Sequence, residues 1–158
     1  IKTLPRNNGL TIKKEKVPWR FDKSVWAKEY KLDTEELLLK CFERDWKSSK
    51  VGSLVKSQTD QEKVKELLWS SYSKIKNLYR YYSSWNPVGD VWAISSNPFT
   101  DFCQQANIIS KDTPLKITDL TFITTNSMSG ANFKGNNLVP ERGLVRFQFM
   151  ESLVRLAD

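Results

Sequence analysis

Apolar residues recur at helical spacing through most of the chain beyond its first thirty residues. The first helix is predicted to begin at a capping box, Asp33 with Glu36, and to run to about Lys47. Its apolar stripe consists of Leu38, Cys41, Phe42 and Trp46. Residues 48–57 carry linker signals. The pattern therefore predicts one amphipathic helix followed by a connection.

A second capping box, Thr59 with Glu62, predicts the start of a much longer helix. Its predicted buried positions follow steps of three and four residues: Val64, Leu67, Leu68, Ser71, Ile75, Leu78 and Tyr82. Its basic residues are predicted to lie on solvated faces: Lys63, Lys65, Lys74, Lys76 and Arg80. This helix leads directly into a loop at residues 83–84.

Residues 74–107 have the outline of an EF-hand, a helix–loop–helix unit that ordinarily binds calcium. The loop leaves through a short apolar piece, residues 91–94, and a helix is predicted to start at Pro98-Phe99. If Ile94 is loop position eight, positions one, three, five and twelve are Pro87, Gly89, Val91 and Pro98. Calcium requires oxygen ligands at these positions, with a bidentate Glu at twelve. The sequence predicts the shape without the metal.

A second helix–loop–helix is predicted after the turn-rich residues 110–114. Thr118 is predicted to cap a brief helix, and residues 126–137 are interpreted as a polar insertion. Residues 144–147 are predicted to form a short strand, followed by a helix from Phe149 to Asp158. With Val145 as position eight, Gly143 falls at position six. Positions one, three, five and twelve are then Leu138, Pro140, Arg142 and Phe149. An arginine at a ligand position would repel calcium, so this loop is also predicted to be metal-free.

The predicted fold is therefore mainly α, with paired EF-hand-like helix–loop–helix units and extra N-terminal helices. Ile94 and Val145 are expected to form a short two-stranded antiparallel pairing, because each strand alone would leave backbone groups unpaired. The predicted organisation is a basic, aromatic-containing arm at residues 1–31 and a helical domain at residues 32–158. Within that domain the first hand covers about residues 60–107 and the second about 116–158.

The charge of the chain is concentrated in the arm. Residues 1–31 hold nine Lys or Arg and three Asp or Glu, a net charge of +6, which leaves +1 of the total of +7 for the rest. Such a field attracts polyanions. The aromatic residues either latch the arm onto the core or anchor a partner, where Trp, Tyr and Arg are enriched. The predicted partner-binding residues are Lys13, Lys14, Lys16, Trp19, Arg20, Phe21 and Trp26.

The composition argues against catalysis and against a metal or cofactor. The chain of 158 residues has no histidine, no Gly-rich phosphate loop and no nucleophile elbow. Cys41 and Cys103 belong to no ligand cluster and are interpreted as buried thiols of a cytoplasmic protein, although a disulfide between them is the alternative. No apolar run approaches the ~20 residues of a membrane span. We expect a protein with no enzymatic activity, no bound calcium and no membrane contact.

Two stretches resemble known proteins. Residues 143–157, with the run Phe147-Gln148-Phe149-Met150-Glu151, look like the exiting half of the degenerate EF-hand-like repeats in ciliary and flagellar proteins of the axonemal microtubule. Residues 79–82 with 99–102, and residues 118–126, look like the preceding half. The pairing is similar, more weakly, to the p25-alpha domain of tubulin-polymerisation-promoting proteins. The resemblance covers about residues 60–158 and leaves the arm unexplained.

The resemblance implies a non-catalytic structural module in the cytoskeleton of a cilium or flagellum. Its implied partner is tubulin, or a neighbouring axonemal protein, and the acidic surface of tubulin suits a basic arm. A nucleic-acid-binding domain is one alternative, because basic residues lie beside Trp19 and Phe21. An atypical calcium sensor is another, with Asp90 and Glu141 as the single acidic residues of the two loops. We also expect the chain to be a piece of a longer protein, since it begins at Ile1 and its last helix lacks a closing Gly or Pro.

Overall fold

The computed structural model describes residues 20–23, 27, 33–85, 92–130 and 139–157. Contacts divide the chain into two units, Ile1–Leu32 and Asp33–Asp158. In the first unit the described residues form one turn of 3-10 helix, Phe21–Lys23. The guanidinium of Arg20 lies 3.0 Å from the carboxylate of Asp22 in an exposed ion pair. Most of the predicted arm lies outside the described residues.

The second unit is helical, which confirms the prediction of a mainly α fold. Its elements are α1 (Glu35–Ser48), α2 (Val51–Leu54), α3 (Gln58–Ser83), α4 (Ser96–Gln105), α5 (Leu115–Gly130) and α6 (Arg146–Ala157). The described residues include no strand. None of these helices is both long and apolar enough to cross a bilayer.

The start of α1 differs from the prediction by one residue. The hydroxyl of Thr34 caps the helix by accepting a hydrogen bond from the N–H of Leu37 at 3.3 Å. Asp33 does not cap it, because its carboxylate lies 2.8 Å from the ammonium of Lys76 instead. The predicted linker also contains α2, whose Val51 is completely buried. Val51 is the buried residue of this short helix, whereas Gly52 and Ser53 are exposed.

The buried face of α3 is turned relative to the predicted face. Leu68, Ile75 and Tyr82 are buried as predicted, and Tyr72 and Lys76 are buried as well. Leu67 is 67% exposed and Leu78 is 39% exposed, so both predictions are wrong. Lys76, predicted to be solvated, is only 4% exposed. The buried face differs from the predicted one because Tyr72 and Lys76 are buried and have polar partners, Asp45 and Asp33. A search for apolar residues at helical spacing does not identify such positions.

The boundaries of α4 and α5 extend beyond the predicted ones. α4 begins at Ser96 rather than at Pro98, since proline is tolerated in the first turn of a helix. α5 begins at Leu115, directly after Pro114, so Thr118 lies inside the helix and is not its cap. The Thr118 hydroxyl donates to the carbonyl of Leu115 at 2.8 Å. The helix continues through Gly130, into the stretch predicted to be a loop insertion.

One antiparallel bridge joins the segment before α4 to the segment before α6. The N–H of Ile94 donates to the carbonyl of Leu144 at 2.9 Å, and the N–H of Leu144 donates to the carbonyl of Ile94 at 2.8 Å. The partner of Ile94 is therefore Leu144 and not Val145 as predicted. Val145 is unavailable because its N–H donates to Oε1 of Gln148 at 2.9 Å, at the point where α6 begins. The bridge is isolated and does not extend into strands among the described residues.

Gly143 allows the two segments to approach each other closely. A Cβ at this position would lie 2.9 Å from the Cβ of Ala93 and 3.2 Å from a ring carbon of Pro140. The carbonyl of Gly143 accepts a hydrogen bond from the Asn126 amide at 2.8 Å, which connects the segment to α5. The absence of a side chain is thus needed for this contact.

Aromatic rings from four helices form the centre of the second unit. Phe149 of α6 lies edge-on to Phe102 of α4, with ring centroids 5.2 Å apart. Phe102 also contacts Tyr82 of α3 at 5.4 Å, and Phe99 contacts Phe122 of α5 at 5.5 Å. Side chains of this size contribute most of the apolar burial in a small core. They hold α3, α4, α5 and α6 together.

Candidate functional site

The predicted partner-binding residues can be located only in part. Arg20 and Phe21 lie at the start of the 3-10 turn, and Arg20 is held by Asp22. The other predicted members lie outside the described residues: Lys13, Lys14, Lys16, Trp19 and Trp26. The predicted role of this set therefore stays a prediction.

A buried polar network connects α1, α3 and α6. The carboxylate of Asp45, which is 4% exposed, accepts a hydrogen bond from the hydroxyl of Tyr72 at 2.5 Å. It also accepts two from the guanidinium of Arg146, at 2.6 and 3.1 Å. A bidentate pair of this kind is strongly directional. Burial and the bond to Asp45 raise the pKa of the Tyr72 hydroxyl well above its ordinary value. The network fixes the three helices relative to one another.

The buried nucleophilic groups are held in their protonated forms. Burial raises the pKa of the Cys103 thiol to about 12, so it is not a thiolate near neutral pH. Burial also raises the pKa of Tyr79 to about 12, and its hydroxyl donates to the carbonyl of Trp92. Cys41 and Cys103 are both free thiols. The environments of Cys103 and Tyr79 therefore do not activate them for attack, whereas Cys41 is only partly buried.

The described residues contain no group of three or more His, Cys, Asp or Glu side chains placed to hold a metal ion. Glu151, the most deeply buried carboxylate, is 0% exposed. It accepts hydrogen bonds from the N–H of Lys50 at 2.8 Å and from Arg155 at 2.9 and 3.0 Å. Its Oε2 thus joins the N-cap of α2 to α6, and its Oε1 pairs with Arg155 of the same helix.

A second charged cluster joins the start of α1 to α3. The carboxylate of Asp33 lies 2.8 Å from the ammonium of Lys76 and 3.5 Å from the guanidinium of Arg80. The hydrogen bond to Lys76 lowers the pKa of Asp33 below its ordinary value of 3.8, although burial acts in the opposite direction. Asp33 is the acidic partner of a lysine that is almost completely buried.

Replacing Asp33 with asparagine is expected to lower the free energy of unfolding by about 1–3 kcal/mol at pH 7, because Lys76 would stay buried without its countercharge. The folded-state pKa of Asp33 is lowered, so its contribution is present above the unfolded-state pKa and is lost as the pH falls through the folded-state value. The difference in stability between the two proteins should therefore begin to shrink below about pH 4 and should vanish only below the lowered folded-state pKa of Asp33. Urea unfolding at pH 7 and pH 3 measures both differences. A constant difference across this range would contradict the role given to the ion pair.

The surface of α5 has an inverted distribution of side chains. The helix buries three threonines, Thr118, Thr121 and Thr125, together with Phe122. Its large aliphatic residues face outward instead: Leu115 is 45% exposed, Ile117 43%, Leu120 59% and Ile123 58%. Its only charged residues are Lys116 and Asp119. We call Leu115, Ile117, Leu120 and Ile123 the α5 surface.

A groove of about 400 Å³ borders the α5 surface. It lies between α4 and α5 and is lined by Ser96, Asn97, Thr100, Leu115, Asp119, Phe122 and Ile123. The floor of the groove is apolar, since Phe122 belongs to the core, and its α4 side is polar and uncharged. Grouped exposed aliphatic residues with a polar rim are typical of sites that bind other proteins.

Comparisons with models of protein families, with curated proteins and with solved structures found no match for this chain.

Two functional features are not evident from the amino-acid sequence. Asp45 was missed because it lies on the predicted apolar stripe of α1, three residues after Phe42, where a charge looked incidental. Its position on that stripe was the signal that it would be buried and paired. The α5 surface cannot be predicted from hydrophobicity because its burial is inverted. A hydrophobic pattern places leucine and isoleucine inward and threonine outward, the reverse of what α5 shows.

Replacing Leu120 and Ile123 together with lysine is expected to change the free energy of unfolding by less than about 0.5 kcal/mol, since both side chains are mostly exposed. The buried neighbour Phe122 supplies the control, because Phe122→Ala should cost about 3 kcal/mol or more. Guanidinium unfolding followed by circular dichroism measures both. A large loss of stability in the double variant would mean that α5 needs these residues for its own packing.

Proposed function

We propose that this chain is a non-catalytic interaction module of a ciliary or flagellar protein, located in the axonemal cytoskeleton. The observation that carries the interaction role is the α5 surface, which presents aliphatic residues outward while threonines are buried. A helix that only completed a core would have the opposite arrangement. In this proposal the α5 surface contacts a neighbouring axonemal protein and the basic arm contacts tubulin.

The proposed scaffold is EF-hand-like. α3 and α4 form the first helix–loop–helix and α5 and α6 the second. The bridge between Ile94 and Leu144 supports this interpretation, because each of these residues stands two positions before its helix, α4 or α6. Both side chains are completely buried, as a shared contact between two loops requires.

The scaffold is proposed to work without calcium. With Leu144 at position eight, positions one, three, five and twelve of the second loop are Asn137, Val139, Glu141 and Gln148. Glu141 is the only carboxylate among them, and Arg142 moves to position six. Oε1 of Gln148, at the place of the bidentate Glu, already accepts the N–H of Val145. An atypical calcium sensor is the competing function, and micromolar calcium binding in a calorimeter would favour it over our proposal.

The charge of the arm supports tubulin as its partner. Residues 1–31 carry a net charge of +6 and tubulin is acidic, so attraction between them should weaken steeply with salt. A variant with Lys13, Lys14, Lys16 and Arg20 replaced by glutamine is expected to bind polymerised tubulin about tenfold or more weakly at low salt. Co-sedimentation of the full chain with microtubules at two salt concentrations measures the loss.

The matched control removes four exposed charges of the second unit, by replacing Lys47, Lys74, Lys111 and Lys116 with glutamine. It has the same net charge as the arm variant and should retain most of the binding. Equal losses in the two variants would show that total charge, and not the arm, determines the affinity.

Nucleic-acid binding is the competing function for the same arm, because basic residues beside Trp19 and Phe21 suit phosphates and stacked bases. Electrophoretic shifts with single- and double-stranded probes distinguish the two functions. Tighter binding to either probe than to microtubules at equal salt would replace tubulin as the proposed partner.

A further inference from the structure

A second groove lies between α1 and α3, and it differs in charge from the α4/α5 groove. It has a volume of about 280 Å³. Its apolar part is formed by Leu39, Phe42 and Trp69. The rings of Phe42 and Trp69 are in contact, with centroids 5.4 Å apart. Leu39 is 42% exposed, so the apolar part is open to a partner.

Three carboxylates surround this apolar part. Glu43 comes from α1, and Glu62 and Glu66 come from α3. All three are exposed, and within the described part of the chain none of them forms an ion pair with a basic side chain. We call Leu39, Phe42 and Trp69 with these three glutamates the α1/α3 groove.

Among the residues that the structure describes, Lys65 is the only basic one that lines the groove, and it has a contact of its own. Its ammonium lies 5.8 Å from the ring centroid of Trp46, within the range of a cation–π interaction. It does not neutralise the rim, since three negative charges face one positive charge. In a chain of net charge +7, this is a local reversal of sign.

The size and chemistry of the groove limit what it can bind. Small-molecule sites usually enclose ~300–1,000 Å³ and cover most of the ligand, whereas this groove is smaller and open. It can accept one large apolar side chain from a partner. The exposed carboxylates around that position would attract basic residues next to the anchor and would repel an acidic segment.

We propose that the α1/α3 groove binds a basic segment of another protein, with one aromatic or large aliphatic side chain on Leu39, Phe42 and Trp69 and flanking Lys or Arg side chains beside Glu62 and Glu66. A helix laid between two helices is a common form of such recognition. This site goes beyond the proposed tubulin contact, because its charge is opposite to that of the arm and it selects a basic partner instead of an acidic one. The chain would thereby join partners of opposite charge.

The test uses the full chain and a short fluorescent peptide in which a central phenylalanine is flanked by lysines. Fluorescence anisotropy is expected to show binding that weakens with salt. Replacing both Glu62 and Glu66 with glutamine should weaken binding about fivefold. The matched control, Asp112→Asn with Glu141→Gln, removes two exposed charges elsewhere and should change the dissociation constant by less than about twofold.

A second pair of variants tests the anchor. Leu39→Ala should weaken binding severalfold, whereas Leu37→Ala, an exposed leucine of the same helix outside the groove, should not. A peptide with alanine in place of phenylalanine should also bind more weakly. Equal effects of the two charge-removing double variants, or equal binding of the two peptides, would overturn the proposal.

Two further results would also overturn it. One is the absence of any anisotropy change at millimolar protein concentration. The other is a change in sedimentation mass in the Glu62/Glu66 variant without a change in peptide binding, which would assign the groove to self-association.

Discussion

Replacing Arg146 with alanine is expected to lower the free energy of unfolding by about 3–5 kcal/mol. Arg146 supplies two of the hydrogen bonds to Asp45, at 2.6 and 3.1 Å, and the Asp45 side chain is only 6% exposed. Without the guanidinium, a buried carboxylate would retain the hydroxyl of Tyr72 as its partner. Equilibrium unfolding in urea, followed by circular dichroism, measures the change.

The control for Arg146 is an exposed ion pair of the same unit. Lys40 and Glu36 lie 2.6 Å apart, but their side chains are 69% and 77% exposed. Lys40→Ala should cost less than about 1 kcal/mol. The double variant Asp45→Asn with Arg146→Met should recover part of the loss, since it removes both charges. If Arg146→Ala lowered the free energy of unfolding no more than Lys40→Ala, the buried network around Asp45 would not stabilise the fold as its geometry indicates.

Replacing Phe149 with alanine is expected to cost about 3–5 kcal/mol, because the ring is completely buried among other rings. Its centroid lies 5.2 Å from that of Phe102 and 6.3 Å from that of Tyr79, so α6 would lose contacts with α4 and α3 together. Thermal unfolding and guanidinium unfolding both report the change.

Phe149→Met separates the loss of volume from the loss of the ring. A side chain of similar volume should cost less than about 1.5 kcal/mol. If methionine were as damaging as alanine, the edge-on ring geometry would matter more than the volume. If alanine cost under about 1 kcal/mol, α6 would not be anchored at this position.

The sequence predicted the helices well and their buried faces less well. Periodicity located α1 and α3, whereas the two-stranded pairing predicted for Ile94 and Val145 is a single isolated bridge between Ile94 and Leu144. It could not predict that Lys76 is buried, because the burial depends on Asp33, which lies 43 positions earlier in the chain. Leu67 was wrongly placed in the core for a related reason: the pattern of α3 alone does not show which neighbouring helices cover it.

The register of the bridge was missed by one residue for a local reason. Leu144 and Val145 are both apolar, so the sequence pattern allows either of them to pair with Ile94. The choice depends on Gln148, whose Oε1 accepts the N–H of Val145 and starts α6 there. Gln148 lies three residues after Val145 and accepts the N–H of Val145 at the start of α6. A buried glutamine in this role is difficult to recognise from the sequence.

The candidate surfaces were less predictable than the fold. The basic arm could be predicted from charge alone, but its structure lies mostly outside the described residues. The α1/α3 groove combines Glu43 with Glu62 and Glu66, which belong to different helices. Only packing of α1 against α3 around Phe42 brings these carboxylates to one apolar site, so no single stretch of sequence contains the signal.

The long-range bonds of α6 have a consequence for synthesis on the ribosome. Asp45 and Arg146 are separated by 101 residues, and so are Lys50 and Glu151. A nascent chain would therefore expose α1 and α2 with their polar partners missing until residues 146–157 had left the exit tunnel. Chains arrested before that point should remain sensitive to proteases and attractive to chaperones, whereas emergence of α6 should supply the missing partners of Asp45 and Lys50 together.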